Sequence, residues 1–261
     1  MEAKKIYDGH ADLWVRQEPI LLSDYSARPR VLELCGDVQG MDILDLGCGE
    51  GYVGRQLAER GAASVSGYDV SSGMIAAAKK VGSAQGLDHL TYAVSDLRQG
   101  EFGDPEHPVD MVIAVFLFNY MDQAAMGRIL QRVRAVLKPG GRFLIETLVP
   151  PLQRLPFGET KLAFAAEDDH WGIDVFDTVS QQYTSTHVRF EKDGEVERLS
   201  IPFRYAWPAE LDLMAQMAGL ALEARWADWS QAPFTNTSTS HNLPCRFFFN
   251  CDINYFFIFS V

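Results

Sequence analysis

Up to about residue 150, apolar positions alternate between two rhythms. Short apolar runs at Ile43–Leu46, Ser64–Asp69, Leu90–Val94, Val109–Phe116 and Arg142–Leu148 have the length and bounds of strands. Between them, Val53–Arg60, the stretch from Val70 to Ala84, and Asp122–Leu137 place apolar residues at helical spacing. Val109–Phe116 is apolar nearly throughout, as a strand buried on both faces requires. Lys138-Pro139-Gly140-Gly141 stops the helix before the fifth strand. Strand and helix in alternation predict an α/β domain with a parallel sheet. Ahead of it, residues 3–17 read as a helix stopped by Pro19, and Ala27–Cys35 as a short second one.

After Pro150-Pro151 the rhythm changes. Asp174–His187 and Glu195–Arg204 are rich in Val, Thr, Tyr and Phe, and Asp193-Gly194 is a strong hairpin signal between them. An antiparallel insertion is expected here. Pro208–Ala218 follows as a helix closed by Gly219. Ala221–Trp229 and Leu243–Asn250, with Arg246–Asn250 as a buried strand, are expected to complete the sheet as an antiparallel final pair. The expected organisation is a core at 1–150 with an N-terminal helical lid, an antiparallel insertion at 151–207 that binds the acceptor, and a completing helix and strands at 208–261.

Composition narrows the functional classes. The chain has 261 residues, 47% hydrophobic and 22% charged, with a formal net charge of −12. That field repels polyanions, and no Lys/Arg-rich run offsets it, so nucleic acid is not an expected partner. The four cysteines lack C-x-x-C spacing, and no His/Cys/acid pattern suggests a metal. With a charged start at Met1–Asp8, a cytoplasmic location is expected. The aromatic tail, broken by Asn250, Asp252 and Asn254, is too interrupted to span a membrane, so no membrane partner is expected either.

The chemistry centres on Ile43-Leu44-Asp45-Leu46-Gly47-Cys48-Gly49-Glu50-Gly51. Glycines at every second position suit a strand-to-helix turn on which a ligand lies against bare backbone. The spacing departs from the G-x-G-x-x-G of dinucleotide sites, and Asp45 would repel a pyrophosphate while accepting from an ammonium group. Asp69, about twenty residues on, stands where an acid meets a ribose hydroxyl pair.

The loop resembles motif I, D-x-G-x-G-x-G, of the class I S-adenosylmethionine-dependent methyltransferases, through Asp45, Gly47, Gly49 and Gly51. Three further stretches match that family: D-x-S-x-x-M at Asp69, Ser71 and Met74, the acid and its neighbour at Asp96 and Leu97, and L-K-P-G-G-x-[FL] from Leu137 to Phe143. Tyr7, Asp8, Ala11 and Trp14 match a segment that closes over the cofactor in small-molecule members. The resemblance implies a Rossmann-like, seven-stranded, mostly parallel sheet with an antiparallel last strand, helices on both faces and an antiparallel cap insertion. It implies S-adenosyl-L-methionine as cofactor, held by Tyr7, Trp14, Asp45, Gly47, Cys48, Gly49, Gly51, Asp69, Val70, Ser71, Met74, Ser95, Asp96, Leu97, Phe116 and Asn119. The methionine part would lie on the loop, the ribose on Asp69 and the adenine amine on Asp96.

The implied reaction is in-line displacement onto N or O of a small-molecule acceptor, driven largely by positioning. Asn119 and Tyr120 are the expected pocket floor. His170, in the acidic and aromatic insertion, is the candidate base, and Tyr120 is the second catalytic candidate. That insertion suits an amine or phenol-like acceptor. The tetrapeptide [DN]-P-P-[YF] of amide-type methylation is absent, and Asn119-Tyr120-Met121-Asp122 stands in its place. Two other readings are a non-catalytic cofactor-binding partner subunit and an NAD(P)-dependent oxidoreductase, the latter disfavoured by the glycine spacing and Asp45.

Overall fold

The computed structural model describes residues 27–148, 155–191, 193–227, 231–235, 238 and 254–261. The expected α/β alternation is present: α1 (Ala27–Leu34), β1 (Asp42–Leu46), α2 (Tyr52–Glu59), β2 (Ser64–Asp69), α3 (Ser72–Ala84), β3 (Leu90–Val94), β4 (Val109–Val115), α4 (Gln123–Val136) and β5 (Leu137–Leu148). After these come β6 (Lys161–Ala166), β7 (His170–Asp177), β8 (Gln182–Phe190), β9 (Val196–Arg204), α5 (Pro208–Met217), β10 (Ala221–Trp226) and β11 (Asn254–Ser260).

The main sheet has seven strands in the order β10-β11-β5-β4-β1-β2-β3. β1 is parallel to both β2 and β4, while β11 is antiparallel to β5 and β10. Strand alternation divides the apolar side chains between two cores. Ile43, Val65, Met111, Ile113, Leu144 and Ile258 pack with Val31 and Leu32 of α1 and Val53 and Leu57 of α2. Leu44, Leu46, Val112, Ala114, Phe143, Ile145 and Phe259 pack on the other face against α4 and α5. Covering both faces is what lets a mostly parallel sheet exist in water.

Two expectations about strands are corrected. The strand between β10 and β5 is Asn254–Ser260, formed by the apolar tail itself. Ile258 and Phe259 are buried on opposite faces there, which fixes this stretch as an interior strand. Residues 243–250, expected to hold that place, lie outside the described residues. Asp174–His187 is also not continuous: it turns at Thr178–Gln181, giving β7 and β8. The insertion is thus a four-stranded antiparallel sheet, β6-β7-β8-β9, with Asp193-Gly194 at the β8–β9 turn as expected. Among the described residues no helix is long and apolar enough to cross a membrane.

Candidate functional site

The glycine loop leaves β1 at Leu46 and reaches α2 at Tyr52. Gly47 and Cys48 donate their N–H groups to the Tyr68 carbonyl at 2.8 and 3.1 Å, fastening the loop to β2. Gly47, Gly49 and Gly51 all have positive φ, at 75°, 54° and 80°. What a side chain would meet differs at each. At Gly51 a Cβ would fall 2.3 Å from the Tyr92 hydroxyl, and at Gly47 it would press on Leu117 at 3.3 Å. At Gly49 it would enter open space. Gly51 is therefore required by the protein's own packing, a side chain at Gly47 would be crowded, and Gly49 alone of the three leaves its side-chain space open.

Below this surface, Arg55 on the first turn of α2 reaches back to the loop. Its Nη2 meets the Glu50 carboxylate at 2.6 Å and its Nη1 donates to the Glu50 carbonyl. Both side chains are buried, so removing either partner would cost about 3–5 kcal/mol. The sequence reading missed this pair; its signal is a Glu inside the glycine motif with an Arg five residues on. Asp45 lies beneath the loop at 2% exposure. Burial, with Asp45 and Asp69 nearby, pushes the Cys48 thiol well up, so it stays protonated beside Gly49.

Asp69 stands half-buried at the tip of β2. Its Oδ2 accepts from the Gly49 N–H at 3.0 Å and its Oδ1 from the Ser71 N–H at 2.8 Å. The carboxylate thus bridges the loop to the start of α3 and holds the bare glycine in place. Ser71 caps α3 by accepting from the Met74 N–H at 3.2 Å, which frees Asp69 from the capping role. Val70 is half-buried and Met74 buried at the same junction.

At the β3 tip, Ser95 continues the strand direction, bonding to the Asp69 carbonyl through its N–H at 2.9 Å. Asp96 is held by Arg98, with Nε to Oδ1 at 2.8 Å and Nη2 to Oδ2 at 2.6 Å. That guanidinium keeps the carboxyl below its usual range. Leu97 is buried beneath. Asp45, Asp69 and Asp96 are hence gathered at or near the tips of three adjacent strands, β1, β2 and β3.

β4 ends in an uncommon turn. Phe116 adopts φ 54°, a left-handed conformation that costs a non-glycine residue about 1–3 kcal/mol. Its N–H donates to the Glu146 carbonyl at 3.0 Å. Strained residues of this kind cluster at functional sites. A short turn, Phe118–Tyr120, follows, where buried Asn119 accepts from the Thr147 hydroxyl at 2.6 Å. Tyr120 is half-buried, its ring 5.3 Å from Phe203 of β9. This contact brings one face of the four-stranded cap to the β4 tip.

His170 and Tyr120 are not brought together. His170 opens β7, six residues from Phe176, whose rung carries Phe203, so it lies about 20 Å along the strand from the Tyr120 contact. Its Nε2 is 3.0 Å from Nδ1 of His187. The ring centroids are 5.2 Å apart with planes inclined by 3°. The separation nearly equals the N···N distance plus two ring radii, so the rings lie edge to edge in one plane rather than face to face. Burial lowers both imidazoles, His187 to about 4. Only the folded cap reveals this dyad, because the partners are 17 residues apart. Tyr7 and Trp14 lie outside the described residues. Among the described residues no group of three or more His, Cys, Asp or Glu could hold a metal ion.

A mostly parallel sheet with one reversed strand, and a bare glycine turn ringed by strand-tip acids, defines a class I methyltransferase-type domain. A methyltransferase-domain family matches residues 43–141. The ubiquinone biosynthesis O-methyltransferase of Bradyrhizobium sp. (strain ORS 278) is 33% identical over 111 residues, 42% of this chain and 41% of that protein. The chain spans about half the length of the curated relatives it matches. Among solved structures, the CcbJ methyltransferase from Streptomyces caelestis superposes with a TM-score of 0.73 at 24% identity, covering 97% of this chain and 95% of that one. S-adenosylmethionine-bound CalS10, an amino pentose methyltransferase from Micromonospora echinaspora, gives 0.60 at 18% identity, covering 97% and 96%. Residues 43–141 thus match a methyltransferase domain, and the whole chain has the Rossmann-like fold of the methyltransferases it superposes on.

Proposed function

We propose that this protein transfers a methyl group from S-adenosyl-L-methionine to nitrogen or oxygen of a small-molecule acceptor, with an amine favoured. The observation that carries the reading is the open space above Gly49, framed by Asp45, Asp69 and Asp96. These residues fit the cofactor's parts. The loop gives bare backbone for the methionine part, and Asp45 supplies negative charge beneath it. Asp69, oriented by two backbone N–H groups, has the carboxylate chemistry to accept from ribose hydroxyls. Asp96 accepts the adenine amine, sharing its carboxylate with Arg98.

When bound, the cofactor supplies a methyl group already activated on a sulfonium sulfur. The chain's task is then to hold and orient the acceptor and exclude water. Asn119, fixed by Thr147, and Tyr120 form the floor at the β4 tip, and the aromatic rung of the cap closes over it. In this reading Tyr120 touches the acceptor, while His170 takes no proton at that tip. The net charge of −12 favours a cationic acceptor over a polyanionic one.

Calorimetric titration with S-adenosylhomocysteine tests the cofactor assignment. Asp69→Ala is expected to raise the Kd at least tenfold, and unchanged affinity would remove the ribose role. Turnover is tested by S-adenosylhomocysteine release against amines, phenols and a transfer RNA pool. Release with RNA alone would overturn the small-molecule reading, and binding without any release would leave a non-catalytic cofactor-binding subunit.

A further inference from the structure

Phe176, Tyr183 and Phe203 form a rung across β7, β8 and β9, with neighbouring ring centroids 5.2 Å apart and Phe203 against Tyr120. Farther along the same face come Asp174 and Ser185, then His187 bonded to His170. The aromatic rung stands at the end of the cap where the β7–β8 turn closes and β9 runs on into α5. Tyr205 is fully buried and packs with this rung. The next residue, Ala206, already belongs to the core covered by α4 and α5. The seat of the rung over the β4 tip is therefore set at this junction.

Gln181 holds the junction together. It closes the β7–β8 turn with φ 57°, a left-handed conformation uncommon outside glycine and asparagine. Its carbonyl accepts from the Tyr205 N–H at 3.0 Å. Its side-chain Nε2 donates to the Tyr205 carbonyl at 3.0 Å and to Oε2 of Glu210 at 2.6 Å. Both hydrogens of that amide are thus used. Glu210 stands in the first turn of α5, where the helix dipole favours a carboxylate. Its other oxygen, Oε1, accepts from Nη2 of Arg204 at 2.6 Å, and Nη1 of Arg204 lies 3.4 Å from the Met126 sulfur on α4. The Arg204 and Glu210 side chains are only 10% and 16% exposed, so salt screens the pair little. One line of contacts runs from the cap turn through α5 to α4.

A turn alone does not ask for this. Glycine would meet the same φ without strain. A strained residue persists where its surroundings over-determine it, and such residues gather at functional sites. Arg204 directly follows Phe203, and Gln181 comes two residues before Tyr183, so these contacts grip two of the strands that carry the aromatic rung. We propose that Gln181, Arg204 and Glu210 are positioning residues for the acceptor: they latch the cap so that the Phe203 ring is fixed on Tyr120. They act through the rings rather than by touching the acceptor. The assignment rests on the proposed methyl transfer for its purpose, and on the cap–core junction for its mechanics. A misplacement of about 1 Å can cost about a hundredfold in rate. The glycine loop and the strand-tip acids belong to β1, β2 and β3, so the cofactor side is untouched.

The test compares Gln181→Gly, Glu210→Gln and Gln181→Glu in the full chain, with thermal unfolding followed alongside. The protein is labelled with 3-fluorotyrosine, and the Tyr120 fluorine resonance is identified by its loss in Tyr120→Phe. Gln181→Gly removes the amide and relieves the backbone. In that variant the Tyr120 resonance is expected to shift or broaden, while that of Tyr92, bonded to the Gly51 carbonyl, stays in place. Glu210→Gln sets a donor against either Gln181 or Arg204 and should act the same way. Gln181→Glu brings two carboxylates together and should act more strongly. Combining Gln181→Glu with Glu210→Gln faces a donor with an acceptor again and should restore part of the wild-type position. Calorimetric affinity for S-adenosylhomocysteine should not change in any of them. With the amine or phenol that the wild type methylates fastest, kcat/KM for the acceptor should fall about tenfold or more in Gln181→Gly. A Tyr120 resonance that stays in place in every folded variant, or an unchanged kcat/KM, overturns the proposal. If no amine or phenol is methylated, the methyl-transfer reading fails, and the resonance still decides whether the latch seats the ring.

Discussion

The glycine loop and the inner face of the cap solve the problem of ligand contact in opposite ways. The loop presents backbone. Its shape comes from three positive-φ glycines, two N–H groups on the Tyr68 carbonyl and the Asp69 bridge, all set within 25 residues of chain. The cap presents side chains. Its rungs join residues from β6 to β9, and which groups share a rung depends on strand register. A backbone site tolerates little variation because every atom is also structural. A side-chain site can be rewritten residue by residue while the sheet survives, which suits the acceptor-choosing role we propose for the cap.

The largest expected effect breaks the backbone side of this contrast. Gly49→Val fills the only space in the loop that the protein's own side chains leave open among Gly47, Gly49 and Gly51. Forcing a side chain into the left-handed region costs about 1–2 kcal/mol, so a moderate loss of stability is expected. The affinity for S-adenosylhomocysteine should fall at least a hundredfold in calorimetry. Retained affinity would mean the ligand lies elsewhere.

An intermediate effect belongs to the cap. His187 is buried and its imidazole is lowered from 6.5 to about 4 by burial, with His170 and Arg189 adding to the shift. Glu167 and Asp169 act in the opposite sense on His170. Because the folded state refuses a proton that the unfolded chain accepts, this stability is fully present above pH 6.5. It is lost as pH falls toward about 4, by at most about 3 kcal/mol. Urea midpoints measured from pH 7 to 4.5 should fall more steeply for the wild type than for His187→Phe. Parallel slopes would show that the dyad does not titrate as a buried pair.

The smallest effect sharpens the comparison at the edge of the backbone site. Arg98 and Asp96 form a half-exposed ion pair, and such pairs contribute about 0–1 kcal/mol. Arg98→Ala should tighten S-adenosylhomocysteine by less than about fivefold, since the guanidinium no longer competes for the carboxylate. Weaker binding in that variant would make Arg98 a positioning residue for Asp96.

The legibility of these regions in sequence follows the same division. Asp45, Gly47, Gly49, Gly51, Asp69 and Ser71 were readable because each acts through a local constraint: a strand end, a turn that needs positive φ, a helix cap. Their burial and bonding in the structure match such roles. Glu50 and Arg55 were missed although close in sequence, because a charged pair in a glycine loop reads as solvated until its burial is known. The His170–His187 dyad was invisible, since it depends on β7 meeting β8 in one register out of several. His170 was noticed for its composition, yet its strand position puts it far from Tyr120.

The sequence by itself determined the α/β alternation, the split of apolar side chains between two faces, and the loop with its three strand-tip acids. These are short-range consequences of side-chain period and backbone sterics. Only the tertiary structure decided that the tail from Asn254 to Ser260 enters the sheet beside β5, and that Asp174, Ser185 and the two imidazoles share the face that reaches Tyr120. Strand pairing is non-local. Several apolar segments could fill the same slot, and a shift of one residue would turn every rung to the other face.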